Sequence, residues 1–267
     1  RYYLSSVDRM LKIFSYVKEM GEKNFQEFLQ TFGREYADCY LDIGSRSYQG
    51  NNSRVTATML EKMVTEREQD LEQMKILDIA SGPEMLRRHA PENMKERIFS
   101  MDINRHHFDQ SESGQAVVGS FLNLPYEDGS LDYVNLGFAL HYTKFLPSRG
   151  MYERLEALQE MNRVLKDGGR AVISLVHNLD FKNEEEFKNV VSLLGFRVVD
   201  EYSGRAESGQ QYRSSVITLE KVSSIKSPGK TSQGNSDVQS PIRTMAKELS
   251  KEQLDGLKFV ENSGSAL

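Results

Sequence analysis

The chain has 267 residues, of which 38% are hydrophobic and 27% charged, with a formal net charge of −5 and a single cysteine, Cys39. That length suffices for one sizeable α/β domain with an accessory helical segment, while the acidic balance argues against a dedicated nucleic-acid binder, which carries a global basic excess. One cysteine excludes an intramolecular disulfide, and no apolar run reaches the roughly 18 residues of a membrane span, so a reducing, cytoplasmic setting is expected.

The chain opens on Arg1-Tyr2-Tyr3 and closes in a polar tail, which reads as a piece of something longer. From Val7 to Phe32 the residues Met10, Leu11, Ile13, Phe14, Val17, Met20, Phe25, Phe28 and Leu29 recur at helical spacing, predicting two amphipathic helices broken at Gly21. A further helix is expected from Ser53 as N-cap, through Val55, Met59, Leu60, Met63 and Val64, to about Leu71.

Lys75-Ile76-Leu77-Asp78-Ile79-Ala80-Ser81-Gly82-Pro83-Glu84 reads as a buried strand turning sharply into a helix, the place where nucleotide-like cofactors bind. A short apolar run bounded by small residues suits a central parallel strand. Pro83 fits the first helical turn, where its missing N–H costs nothing, and Gly82 allows a ligand close to the backbone. A second apolar run, Ile98 to Asn104, carries Asp102 roughly 20 residues after the turn, the spacing of a ribose-binding acid.

Next comes a loop from Gly119 containing Leu124-Pro125-Tyr126-Glu127-Asp128-Gly129-Ser130-Leu131-Asp132-Tyr133-Val134, then strand four, running into Asn135-Leu136-Gly137-Phe138-Ala139-Leu140-His141-Tyr142. A helix from Ala157 to Leu165 is followed by Lys166-Asp167-Gly168-Gly169, a C-cap and turn signal, and a strand over Arg170 to Val176. Glu184 to Leu194 predicts a helix, and Phe196 to Tyr202 with Ser215 to Leu219 a closing antiparallel hairpin. Beyond Lys221 the Ser, Gly, Lys, Pro and Gln content reads as a flexible linker of about 20 residues, and Pro241 to Leu257 as a weakly amphipathic helix that could dock on a neighbouring domain or protein.

These segments, in this order, resemble a class I S-adenosylmethionine-dependent methyltransferase of the small-molecule type over roughly Lys75 to Lys221. The LPYEDGSLDYV stretch and the later RVLKDGG turn are the most specific parts of the likeness. The resemblance implies a Rossmann-like, doubly wound, mostly parallel seven-stranded sheet with an antiparallel C-terminal hairpin and an N-terminal helical lid. The organisation is then 1–74 accessory, 75–221 methyltransferase core and 222–267 linker with a terminal helix. It implies S-adenosylmethionine as cofactor, no metal, and a donor site formed by Asp78, Ala80, Ser81, Gly82, Asp102, Ile103, Ser120, Phe121, Leu136 and Gly137. Asp102 would accept from the ribose hydroxyls, while Ser120 and Phe121 would flank the adenine. Residues around Tyr36 to Tyr48, with Arg54, are candidate lid contacts.

The chain departs from the family pattern in two places. Where acid-x-Gly-x-Gly-x-Gly is usual it reads Asp78-x-Ala80-x-Gly82-x-Glu84, and Ser120 stands where an acid is common. Glu84 is expected in the first helical turn, facing outward and favoured by the helix dipole; the competing reading is a charge that weakens donor binding. A serine hydroxyl accepts the adenine amino group more weakly than a carboxylate.

His141 and Tyr142, just past strand four, are the candidates for contacting the methyl acceptor at the open end of the sheet; His has the unperturbed pKa of a base. Three alternatives stand beside this reading: a non-catalytic methyltransferase-like scaffold in a larger assembly, a messenger-RNA cap guanine-N7-type enzyme suggested by Phe138 to Tyr142, and a nicotinamide-dependent enzyme. The last lacks the Gly-x-Gly-x-x-Gly turn. The acceptor is not identified by the sequence, and nucleic acid is not indicated by the net charge.

Overall fold

The structure is a computed structural model that describes residues 29–30, 32–38, 48–66, 73–111, 113–140, 150–176, 181, 183–204 and 214–222. The expected helices over 7–32, His141, Tyr142, and the C-terminal linker and helix lie wholly or almost wholly outside these residues.

After a helical segment at 32–38, the described elements in chain order are α1 (Tyr48–Glu66), β1 (Ile76–Ile79), α2 (Met85–His89), α3 (Glu92–Lys95), β2 (Ile98–Asp102), a 3-10 turn (Arg105–Phe108), β3 (Ala116–Val118), β4 (Leu131–Gly137), α4 (Gly150–Val164), β5 (Leu165–Val176), α5 (Glu184–Leu193), β6 (Phe196–Gly204) and β7 (Ser214–Lys221). They form one seven-stranded sheet in the order β3-β2-β1-β4-β5-β7-β6. Strands β1 to β5 pair in parallel, and β7 enters antiparallel between β5 and β6. The expected α/β fold with its closing antiparallel hairpin is what forms. Strand order reverses between β1 and β4, which opens a crevice at their carboxyl ends.

Alternation along the buried strands builds two cores, one on each face. Leu77 and Ile79 of β1 join Leu158, Met161 and Val164 of α4 and Phe187 and Val191 of α5. Ile76 of β1 joins Leu60, Met63 and Val64 of α1 and Leu86 of α2 on the other face. Asp78 falls on the Ile76 side by the period of two, a carboxyl at a core position.

The two most family-specific stretches prove to be one object. The carbonyls of Arg163 and Val164, at the end of α4, accept from the amides of Gly129 and Ser130 at 2.9 and 2.8 Å. Arg163 donates to the carbonyls of Tyr126 and Leu124 at 2.8 and 2.9 Å and to Glu160 and Asp128. Glu160 in turn accepts from the Leu124 amide at 2.8 Å. The loop entering β4 thus supplies the capping donors that the helix end lacks.

Local readings are corrected at several points. α1 begins at Tyr48, so Ser53 lies inside the helix and is not its N-cap; with no proline to stop it, the helix extends back past the single cap signal. Gly168-Gly169 is not a C-cap: α4 ends at Val164 and Leu165 is already paired with Leu131, the next pair being Tyr133 with Arg170. Residues 166–169 are therefore a bulge in β5, with Gly168 at φ 71° and Gly169 so enclosed that a Cβ would lie 2.8 Å from the Lys166 carbonyl oxygen. β3 was not located from sequence.

Replacing Arg163 with Ala strips several charge-assisted bonds from the loop carbonyls. We expect a loss of about 2–3 kcal/mol in urea unfolding, with Arg163→Lys recovering less than half because an ammonium cannot reproduce the planar fork. An unaltered midpoint for Arg163→Ala would contradict the clamp.

Candidate functional site

The site is organised by the turn that joins β1 to α2. Three residues in it, Ala80, Gly82 and Glu84, have φ of 52°, 53° and 58°, the left-handed region that glycine enters without penalty. These are the positions where the family pattern carries its three glycines. All three are left-handed although two of the residues are not glycine.

The turn is pinned from below and from the side. The Ser81 amide donates to the Met101 carbonyl at 3.0 Å, extending the β1–β2 pairing, and the Met85 amide donates to the Ser81 carbonyl at 3.1 Å. The Gly82 amide donates to Asp102 Oδ2 at 2.9 Å. The other oxygen, Oδ1, accepts from the Asn104 amide at 2.9 Å. Asp102 is 8% exposed, and each of its oxygens retains a lone-pair direction, since an ionised carboxylate offers about four. A carboxylate held this way can take a vicinal diol.

Pro83 precedes the helix and does not open it: the N-cap is Glu84 and α2 starts at Met85. Glu84 does not face outward either. It is buried, and its carboxylate accepts from Ser113 Oγ at 2.8 Å, with Arg87 at 4.0 Å. The left-handed backbone of Glu84 turns its side chain toward the segment before β3, and the resulting bond to Ser113 ties that segment to the turn. Glu84 and Ser113 are 29 residues apart, a pairing no local pattern reveals.

Asp78 meets β4 beside the turn. It accepts from Asn135 Nδ2 at 2.6 Å, and the Leu86 amide also bonds its carboxyl. Burial pushes the Asp78 carboxyl up to about 7, the Asn135 and Leu86 bonds resist the rise, and the nearby Asp102 and Glu84 charges add to it. Asn135 Oδ1 has no hydrogen-bond partner among the described residues. Sequence reasoning missed Asn135 as Asp78's partner, though their adjacency follows once β1 and β4 are neighbours.

The remaining expected residues distribute as follows. Ile103 is half-buried directly after Asp102, and Ser81 is buried with its hydroxyl on the Gly82 carbonyl at 3.2 Å. Ser120 Oγ accepts from the Leu122 amide at 3.3 Å, leaving its proton and a second lone pair for other partners. Phe121 is half-buried against the core. Leu136 is fully buried in that same core, so its side chain is packing and only its backbone can reach a ligand. Gly137 ends β4, and Phe138 follows at φ 50°. Tyr36 sets its ring edge on His107 at 5.8 Å, next to the 3-10 turn after β2. No cluster of His, Cys, Asp or Glu suited to a metal occurs among the described residues.

Residues 77–173 match the family model of the methyltransferase domain, the segment that carries the parallel strands and the Asp102-braced turn. This segment is a class I S-adenosylmethionine-dependent methyltransferase domain. Curated relatives include the demethylmenaquinone methyltransferases of Staphylococcus epidermidis, 39% identical over 72 residues, and of Staphylococcus haemolyticus, 50% identical over 56 residues. The first alignment spans 27% of this chain and 27% of the relative; the second spans 21% and 20%. Among solved structures, that of the [4+2]-cyclase SpnF aligns with a TM-score of 0.49 at 16% identity, covering 67% of this chain and 84% of that one. No helix among the described residues is long and apolar enough to cross a membrane.

Two stability measurements probe the methyltransferase turn. Between about pH 4 and 7 the native state holds the Asp78 proton that the unfolded chain, with an ordinary carboxyl, has lost. Stability from this group therefore falls as pH rises through that window and levels off above it. Asp78→Asn should gain on wild type in denaturant unfolding as the pH goes from 5 to 8; a constant difference would contradict the buried, protonated carboxyl. Ala80→Gly should raise stability by roughly 1 kcal/mol by relieving the left-handed alanine, whereas a loss would show that φ is not positive there.

Proposed function

We propose that this chain transfers a methyl group from S-adenosylmethionine to a small-molecule acceptor. The observation that carries the reading is the Asp102 carboxylate, fixed at the end of β2 by the Gly82 and Asn104 amides with lone pairs left for a ribose. Bound S-adenosylmethionine supplies an electrophilic methyl on a sulfonium, so the chemistry resides in the cofactor and the protein contributes binding and orientation.

Asp102 holds the ribose hydroxyls. The backbone at Ala80 and Gly82 permits close approach, and Ile103 and Phe121 bracket the adenine, whose amino group Ser120 Oγ accepts. The Asp102 and Glu84 carboxylates both lie close enough to act on Asp78. That field suits a cationic donor, and a carboxylate at the N-cap of α2 opposes a pyrophosphate there, which disfavours the dinucleotide alternative. His141 and Tyr142, following β4, are assigned to the acceptor side. Holding donor and acceptor in near-attack geometry accounts for roughly 7–11 kcal/mol of barrier lowering, so no fixed triad is required. The name of the staphylococcal relatives makes demethylmenaquinone the first acceptor to try.

Calorimetric titration with S-adenosylmethionine tests the donor site. Micromolar binding is expected, weakened more than tenfold in Asp102→Asn, since bonds to a charged group contribute about 1.5–3 kcal/mol each. No binding by a folded wild-type chain would overturn the enzyme reading in favour of a non-catalytic scaffold, and unchanged affinity in the variant would remove Asp102 from the site.

A further inference from the structure

Asn104 stands two residues beyond β2, is 2% exposed, and has its polar groups committed in three directions. Its amide donates to Asp102 Oδ1 at 2.9 Å. Its side-chain Oδ1 accepts from the His106 amide at 3.2 Å, capping the 3-10 turn. Its Nδ2 donates to the Gly33 carbonyl at 2.9 Å, across 71 residues of sequence.

Gly33 belongs to the helical segment 32–38, and its lack of a side chain is what allows this contact. A Cβ there would lie 2.9 Å from Asn104 Oδ1, closer than real contacts come, and 3.0 Å from His106 Cδ2, tighter than most. Two further contacts seat the same segment on the same loop: Tyr36 against His107 at 5.8 Å, and Arg34 to Asp109 at 3.0 Å. The Arg34 pair is largely exposed, with the arginine side chain 70% accessible, so it adds little. The buried Asn104 bond and the glycine contact are the anchor.

A continuous set of bonds therefore runs from the Gly82 amide through Asp102 and Asn104 to the Gly33 carbonyl. We propose that Asn104 is a positioning residue that couples the ribose end of the donor site to the 32–38 segment. The inference rests on the donor reading above. A ligand gripping Asp102 fixes the carboxylate that holds the Asn104 amide, and so fixes the loop on which the segment sits. Linkage requires the reverse as well: a seated segment favours the Asp102 geometry that the ligand needs, and raises donor affinity without touching the donor.

Serine at position 104 separates the tether from the cap. Its hydroxyl still accepts from the His106 amide, as a serine N-cap does, but it carries no amide to reach Gly33. The experiment is calorimetric titration of the full chain and its Asn104→Ser variant with S-adenosylmethionine, together with hydrogen exchange at 32–38 with and without saturating donor. In the wild type, donor slows exchange across 32–38. In Asn104→Ser that slowing is lost and affinity drops about threefold to tenfold, the equivalent of one hydrogen bond, while the rest of the core exchanges as before. Gly33→Ala, which wedges the segment away while leaving Asn104 in place, should reproduce both effects. Wild-type exchange at 32–38 that ignores the donor, or variants that bind as tightly as wild type, would overturn the coupling. Failure of the wild type itself to bind donor would overturn the underlying methyl-donor reading instead.

Discussion

The bond from the Gly82 amide to Asp102 joins two strand ends that are 20 residues apart, and the arrangement of the site depends on it. A turn with left-handed residues at 80, 82 and 84 exposes backbone groups and stores strain where the side chain is not glycine. It persists because its surroundings over-determine it: Asp102 takes one amide, Met101 and Ser81 continue the strand pairing into the helix, and Ser113 takes the Glu84 carboxylate. The two departures from glycine thus acquire different meanings. Ala80 is a small local strain, whereas Glu84 exchanges strain for a link between the turn and the strand on the far side of β2.

The same economy governs the sheet. Asp78 sits at a core position by strand alternation, and Asn135 sits opposite because β1 and β4 are neighbours. The pair keeps a carboxyl inside without a counter-cation among the described residues, at the cost of a carboxyl pushed up to about 7. On the other side of β4, Arg163 and Glu160 hold the 124–130 loop so that β4 enters in register next to β5. The buried Asp78–Asn135 pair and the loop clamp meet at β4.

Much of this was legible in the sequence, for identifiable reasons. β1, β2 and β4 are short apolar runs with breakers at their ends, and the Ala157 to Leu165 stripe announced the buried face of α4. The position of Asp102 at the end of β2, beside the turn, could be read from its spacing to Gly82. β3 could not be found, because three residues at a sheet edge, none of them buried, show no periodicity. The Gly168-Gly169 pair looked like a helix stop; the stop is supplied instead by amides from Gly129 and Ser130, which no window around residue 165 contains. Glu84 with Ser113, Asp78 with Asn135 and Asn104 with Gly33 were hidden for the same reason, since each pairs residues distant in sequence. Local patterns reveal elements and turns, while the partners of buried polar groups emerge only from topology.

The most direct test of the account is a crystal structure of this chain with S-adenosylhomocysteine. The account predicts both ribose hydroxyls within hydrogen-bonding distance of the Asp102 carboxylate, with the Gly82 amide still bound to Oδ2 and the ligand lying over the turn at 80–84. A ligand bound elsewhere, or a ribose that leaves Asp102 untouched, would contradict it.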